Sequence, residues 1–427
     1  MNARHLCFVL VTVLLSASVH AQWVLTSGPY GGTVSCLAVA GDDLFAGTFG
    51  GGVFRSRDNG TTWGQTSLTN TNVYALAAVP DGKGSINVLA GTHDGLFCST
   101  DDGNSWNKTV LTNAYVYSFA ALPRDGGGSA VFAGTHGNGV LLSSDGGTSW
   151  LPAGLANAWI RCLLACGAVL FAGTSSDGIL RSTDSGNSWV AVGASLPAGT
   201  SVNALVQCPD GSGRANIFAG TYGSGVVMSS DSGMTWYATN RGLADTCVYS
   251  LAAYGTNIFA GTECHGVSLL IGSETPWLPV NKGLADTSVY VLAANATYLF
   301  AGTFWAGVWR RPLPEFTSAV AEPTGSVPRA FMLCQNYPNP FNPETNIRYQ
   351  IAPARPGESP SAGGDSRMVK LAVYDLLGRE VSVLVNERKP AGSYEIKFDG
   401  SGLSSGVYFY RLSAGDFVEA KKLAIVK

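Results

Sequence analysis

The tripeptide Ala-Gly-Thr recurs seven times, beginning at Ala46, Ala90, Ala133, Ala172, Ala219, Ala260 and Ala301. The intervals are 44, 43, 39, 47, 41 and 41 residues. A period in that range without helical patterning is the signature of propeller blades, each an antiparallel sheet of four strands. The fifth copy displays a whole unit. Ser201–Cys208 reads as a first strand, Asn216–Thr221 as a second, Gly225–Ser230 as a third and Thr235–Thr239 as a fourth. Gly, Asp, Asn and Ser fill the intervals, as hairpin turns require. The strands are apolar on both faces because a blade packs between two neighbours. Composition fits many turns between short strands: Gly is present 54 times and charged residues make up only 13% of the chain.

Closing a ring of blades makes its own demand on the sequence. The last copy, Val289–Pro312, holds three strands and stops at Pro312. The stretch QWVLTSGPYGG from Gln22 parallels TWYATNRGLAD from Thr235. Gln22–Leu25 is therefore expected to form the outer strand of the seventh blade and cover its exposed edge. The expected fold class is all-β: a seven-bladed β-propeller over residues 22–312, then a small Ig-like β-sandwich.

A second motif lies between the third and fourth strands. Ser56–Trp63, Ser99–Trp106, Ser143–Trp150, Ser182–Trp189 and Ser229–Trp236 all fit Ser-x-Asp-x-Gly-x-Thr/Ser-Trp, and Leu270–Trp277 is a decayed sixth copy. An Asp carboxylate in such a turn accepts backbone N–H bonds, Gly permits positive φ, and Trp packs between sheets. This motif resembles the Asp-box, or BNR repeat, of sialidases, sortilin-type receptors, xyloglucan-cleaving glucanases and photosystem assembly factors. In those families the box lies on the face away from the active site. The resemblance thus implies structural roles for Asp58, Asp101, Asp145, Asp184 and Asp231.

The enzymes among those families carry machinery that can be looked for here. The chain lacks the Arg-Ile-Pro and arginine triad of sialidases, and one propeller stands where xyloglucan-cleaving enzymes face two across a cleft. Glycoside hydrolysis needs two carboxyl groups about 5 to 10 Å apart. On the face opposite the boxes, Asp94, Asp177, Glu263, Asp245 and Asp286 are spread over different blades. No catalytic residue is assigned. No nucleotide-phosphate loop, HExxH or Cys/His metal cluster is present in the sequence, so neither a metal nor another cofactor is expected. That face instead offers variety. Phe49, His93, His136, Ser175, Tyr222, Glu263 and Phe304 follow the seven Ala-Gly-Thr copies. Trp305 and His265 stand close by, and the loops entering the first strands add Tyr115, Trp159 and Arg161. Phe49, His93, His136, Trp159, Arg161, Tyr222, Glu263, Phe304 and Trp305 form the candidate ligand-binding set, suited to stacking on sugars or gripping a peptide.

After a Pro-rich linker at 313–330, residues 331–427 alternate at period two and read as a sandwich of about seven strands. The run NYPNPFNP from Asn336, VYDLLGREV from Val373, SGVYFYRL from Ser405 and the Lys-Lys near the end resemble the type IX secretion sorting domain of exported bacterial proteins. That resemblance implies the type IX secretion machinery as a partner, with delivery to the cell surface or the medium. The insert Ala352–Arg367 reads as a loop between strands.

The N-terminus agrees with export. Arg4, the apolar stretch Leu6–Ser18 and the small residues Val19 and Ala21 form a signal peptide over 1–21, with cleavage before Gln22. No later segment is apolar enough to span a bilayer. A net charge of −3 without a basic run gives no attraction to nucleic acid. An oxidising compartment permits disulfides, and the register of the sixth blade places Cys247 opposite Cys264, an expected pair. The sequence thus reads as an exported propeller that binds a glycan or protein ligand, with a carbohydrate-active hydrolase as the rival reading.

Overall fold

The computed structural model describes residues 22–29, 32–81, 83–109, 114–124, 128–193, 196–272, 275–317, 331–333, 336, 341, 343–352 and 366–426. The expected signal peptide at 1–21, most of the expected linker (318–330) and most of the insert (353–365) lie outside the described residues.

Seven four-stranded antiparallel sheets follow one another along the chain. Blades 1 to 6 span 34–65, 73–108, 116–152, 160–191, 201–238 and 248–279. Blade 7 takes three strands from 289–312 and its fourth from Val24–Leu25, with Val24 opposite Arg310 and Leu25 opposite Trp309. Successive first strands adjoin one another around the ring, and the first of blade 7 meets the first of blade 1. The fold is a seven-bladed β-propeller closed by its N-terminal strand. Each fourth strand is only two residues long, shorter than the sequence pattern of blade 5 suggests.

Each letter of Ala-Gly-Thr has a packing reason. The seven alanines have no exposed surface. A Cβ on the following glycine would collide with the first strand of the next blade: 2.7 Å from Val73 Cγ1 at Gly47, 2.7 Å from Val202 Cγ1 at Gly173. The threonine hydroxyl donates to a carbonyl across its own hairpin, as Thr48 does to Gly52 (3.0 Å) and Thr174 to Gly178 (3.0 Å). The repeat therefore sets blade-to-blade spacing and carries no chemistry of its own.

Every first strand also contains a register shift near its start. The residues inside the shifts are Ser35, Tyr74, Tyr117, Arg161, Asn203, Tyr249 and Tyr290. A bulge leaves one residue unpaired and re-aims its side chain. This corrects the expected disulfide. Ala253 does face Ile258, but the shift at Tyr249 brings Val248 opposite Thr262. Cys247 then falls beside Glu263, whose N–H donates to the Cys247 carbonyl (3.0 Å). Cys247 is a free thiol. Cys264 is disulfide-bonded.

Residues 313–317 do not begin a free linker. Leu313, just before the short helix at Pro314–Thr317, and Phe316 within it are buried against the propeller. Beyond them, two sheets form the β-sandwich. One joins Met332–Leu333, Glu344–Ile351 and Gly392–Asp399; the other joins Glu380–Pro390, Ser366–Tyr374, Gly406–Ala414 and Phe417–Ile425. Ile347, Leu371, Phe398, Tyr410 and Leu423 fill the space between them.

Candidate functional site: the mouth of the propeller

The first strands begin, and the second strands end, at the same rim of the ring, since Val34 pairs with Thr48. The Asp-boxes begin at the other rim, where Ser56 pairs with Leu44. Their geometry repeats. The Asp58 carboxylate accepts from the Thr62 N–H (2.8 Å), the Thr62 hydroxyl (2.7 Å) and the Ser56 hydroxyl (2.8 Å). Ser56 Oγ in turn accepts from the Gly60 N–H (2.8 Å). Asp101, Asp145, Asp184 and Asp231 make the same set. Asn59 and Gly60 both have positive φ, 55° and 81°, which is why the turn wants Asn, Asp, Ser or Gly followed by Gly. These bonds hold the carboxyls below the ordinary range. Asp184 is lowered to about 2, foremost by the Ser188 hydroxyl and N–H. At Asp145 burial pushes the other way, yet the bonds from Ser149 and Ser143 prevail and it also falls to about 2.

At the mouth, aromatic side chains gather in two arcs. The first runs over blades 1 to 4. Phe49 meets Tyr74 edge-on at 5.6 Å, Tyr74 stacks on Tyr117 at 4.8 Å, and Tyr117 meets Trp159 at 5.7 Å. His136 lies 4.4 Å from Trp159 and His93 lies 4.8 Å from Tyr115. The Arg161 guanidinium covers the Trp159 ring at 5.4 Å. The second arc covers blades 5 to 7: Tyr222, Tyr249, Tyr290, Phe304 and Trp305, with Tyr249 stacked on Tyr290 at 4.6 Å.

All nine residues of the candidate binding set stand at this rim, divided between the arcs. Ser175, Asp94 and Asp177 join neither. Sequence reasoning missed Tyr74, Tyr117, Tyr249 and Tyr290, the four tyrosines among the seven bulge residues. In the sequence each directly follows the valine that opens its first strand.

Glu263 sits within the second arc and accepts from the hydroxyls of Tyr249 (3.2 Å) and Tyr222 (3.3 Å). Burial, helped by the charge of Asp245, raises its carboxyl to about 7 against the opposing tyrosine bonds. Asp245 is the contrary case. Burial opposes its ionisation, but His265, the Cys247 N–H and Arg348 outweigh that and hold it low. Its oxygens accept from the N–H groups of Cys247 (2.9 Å) and Cys264 (3.0 Å), and from Arg348 Nη1 (2.6 Å). Asp286 plays the equivalent loop-holding part in blade 7, accepting from the N–H groups of Ser288 and Trp305. Both acids are thus committed to structure. Among the described residues no three His, Cys, Asp or Glu side chains are grouped to hold a metal ion.

Arg348 belongs to the C-terminal sandwich, which therefore rests on the mouth itself. Gln350 Nε2 donates to the Cys264 carbonyl (2.9 Å). A cavity of about 590 Å³ remains between the two bodies, walled by Glu263, Tyr290 and Phe304 on one side and Phe331, Phe417 and Lys421 on the other.

Residues 335–426 match the family described as the secretion system C-terminal sorting domain. No curated protein matches the chain in sequence. Three solved structures show the fold in other settings. PorZ, a surface component of the type-IX secretion system of Porphyromonas gingivalis, is 16% identical over 95% of this chain and 61% of that one, with a TM-score of 0.50. YCF48 bound to D1 peptide is 13% identical over 69% of this chain and 96% of that one, TM-score 0.52. An ancestral GH74 enzyme is 15% identical over 94% and 63%, TM-score 0.56. The chain spans about three fifths of the length of PorZ. Fold and site together define a β-propeller that ends in a sorting domain. The sorting domain marks the chain as secreted or displayed at the cell surface, and none of its described helices is long and apolar enough to cross a membrane.

Proposed function

We propose that the propeller is a non-enzymatic binding module and that its open arc, Phe49 to Trp159, takes a carbohydrate chain. The observation that carries this reading is the continuous run of ring contacts over four blades, capped by the Arg161 guanidinium on Trp159. Tyrosine and tryptophan faces suit the apolar faces of sugar rings, and imidazole and guanidinium groups offer hydrogen bonds to hydroxyls. An extended peptide would use the same faces, as the D1 peptide complex of YCF48 invites one to ask.

One observation favours the hydrolase reading. Glu263 and Asp245 are two carboxyls whose environments push their ionisation apart, which is the pattern of an acid and its partner. Against it, Asp245 is already held by two backbone N–H groups and a guanidinium, leaving it no part in chemistry. Screening the full chain on a glycan array, then incubating each bound glycan with the protein and following chain length by chromatography, separates the readings. Retention without shortening is the expected result. Shortening that Glu263→Gln abolishes would replace binding with hydrolysis.

A further inference from the structure

The sorting domain's contacts with the propeller fall at Asp245, Thr246, Cys264 and Thr287, beside the second aromatic arc. We propose that the sorting domain acts as a cap on its own propeller, masking the arc of Tyr222, Tyr249, Tyr290 and Phe304, so that the full chain presents half of its binding face and gains the rest when the two bodies part. This rests on the mouth being the binding face.

Four contacts converge on the masked half. Arg348 Nη1 reaches Asp245 Oδ1 at 2.6 Å and Arg348 Nη2 reaches the Thr246 hydroxyl at 3.3 Å. Asp245 is almost wholly buried, so this is a charge pair largely shielded from water. Glu395, on the neighbouring strand of the sandwich, holds Arg348 from behind at 3.1 Å. Gln350, two residues along the same strand and itself buried, donates to Cys264. Met332, opposite Gln350 in register, meets the Thr287 hydroxyl. Lys421 faces the cavity in which Glu263 lies. None of these residues is a general requirement of the sandwich, whose core lies between its sheets. Arg348, Gln350 and Met332 are propeller-facing groups.

The ligand class for the uncovered half follows from its chemistry. Stacked tyrosines around a buried carboxyl with two hydroxyl donors suit a neutral, polyhydroxylated chain, continuous with the one proposed for the open arc. An anionic chain would meet both Glu263 and Asp286.

Hydroxyl-radical footprinting of the full chain reads aromatic side-chain access directly and needs no ligand. The comparison is between the unaltered chain and an Arg348→Glu, Gln350→Ala double variant, each with and without reductant because Cys264 is disulfide-bonded. Labelling of Tyr290 and Phe304 is expected to rise at least threefold in the reduced double variant. Tyr74, Tyr117 and Trp159 should label equally in both, and Tyr410 should stay protected. Unchanged labelling of Tyr290 and Phe304 would overturn the cap. Should Tyr410 also become labelled, the sandwich has unfolded. Lys421→Ala with Gln350→Ala, which leaves Arg348 and its partners in place, then makes the same comparison with the same deciding result. Because the radical reports access alone, a chain that binds no saccharide but opens on substitution would sink the binding reading and leave the cap standing.

Discussion

The indole N–H of Trp23 donates to the carbonyl of Val280 at 2.7 Å, joining residues 257 positions apart. The backbone of Trp23 is held as well, through its N–H to the Lys282 carbonyl (2.8 Å). Trp277 does the same one blade earlier, reaching the carbonyls of Thr239 and Arg241. Trp23 therefore fills, from the N-terminal end, the place of the box tryptophan that blade 7 lacks. It is buried against Phe316, with ring centroids 6.3 Å apart. Trp23→Ala should cost about 3–5 kcal/mol in denaturant unfolding, as for other buried tryptophans. Deleting 22–25 should lower the melting temperature and promote aggregation through the bared edge of Val308–Pro312. Unchanged melting in both variants would contradict closure by this strand.

The box acids hold turns at the rim remote from the mouth. Asp145→Ala should cost on the order of 1 kcal/mol, since it strips a partner from the buried Ser143 hydroxyl and from the exposed Ser149 N–H. The pH dependence follows from the sign of the shift. The folded carboxyl at about 2 lies below its unfolded value, so its contribution is full above about pH 4 and fades toward pH 2. The stability gap between the unaltered chain and Asp145→Asn should therefore narrow over that window. A constant gap would show that ionised Asp145 does not hold the turn.

Glu263 should behave in the opposite sense. Its folded value of about 7 lies above the unfolded one near 4.5, so folding favours the protonated form. Its contribution is full below the unfolded value and is lost as pH rises toward 7. Glu263→Gln should accordingly gain stability relative to the unaltered chain between pH 5 and pH 8, measured by chemical denaturation at each pH. A gap that does not change with pH would place the carboxyl in an ordinary, hydrated setting.

Peptide mapping without reduction should recover Cys264 in a cross-linked peptide and Cys247 as a free thiol. A peptide joining Cys247 to Cys264 would show that the first strand of blade 6 lacks the shift at Tyr249.

The blade count, the closing strand and the sorting domain were legible because each repeats a pattern or carries a dense motif. The spacing of Ala-Gly-Thr is a packing requirement written at fixed intervals, and the match of Gln22–Leu25 to a fourth strand needs only side-by-side reading. The nine candidate binding residues were legible as positions at one rim, although Arg161 lies in a first strand and Tyr222 ends a second one. What escaped was the effect of one inserted residue. A bulge at Tyr249 leaves no mark in composition or alternation, yet it moves Cys247 off Cys264 and aims a tyrosine at Glu263. The contact of Arg348 with Asp245 also escaped, since nothing in the sequence couples an arginine on a sandwich strand to a propeller loop 103 positions earlier.

The central claim is that the open arc binds a carbohydrate chain by stacking. It is tested most directly by calorimetric titration of the full chain with the glycan that an array ranks first, beside Trp159→Ala and Tyr117→Ala. The account predicts measurable binding by the unaltered chain and at least a tenfold loss in each variant, about 1.4 kcal/mol or more, with melting temperatures shifted little. Binding that survives both substitutions, or an array on which the folded protein retains nothing, would contradict it.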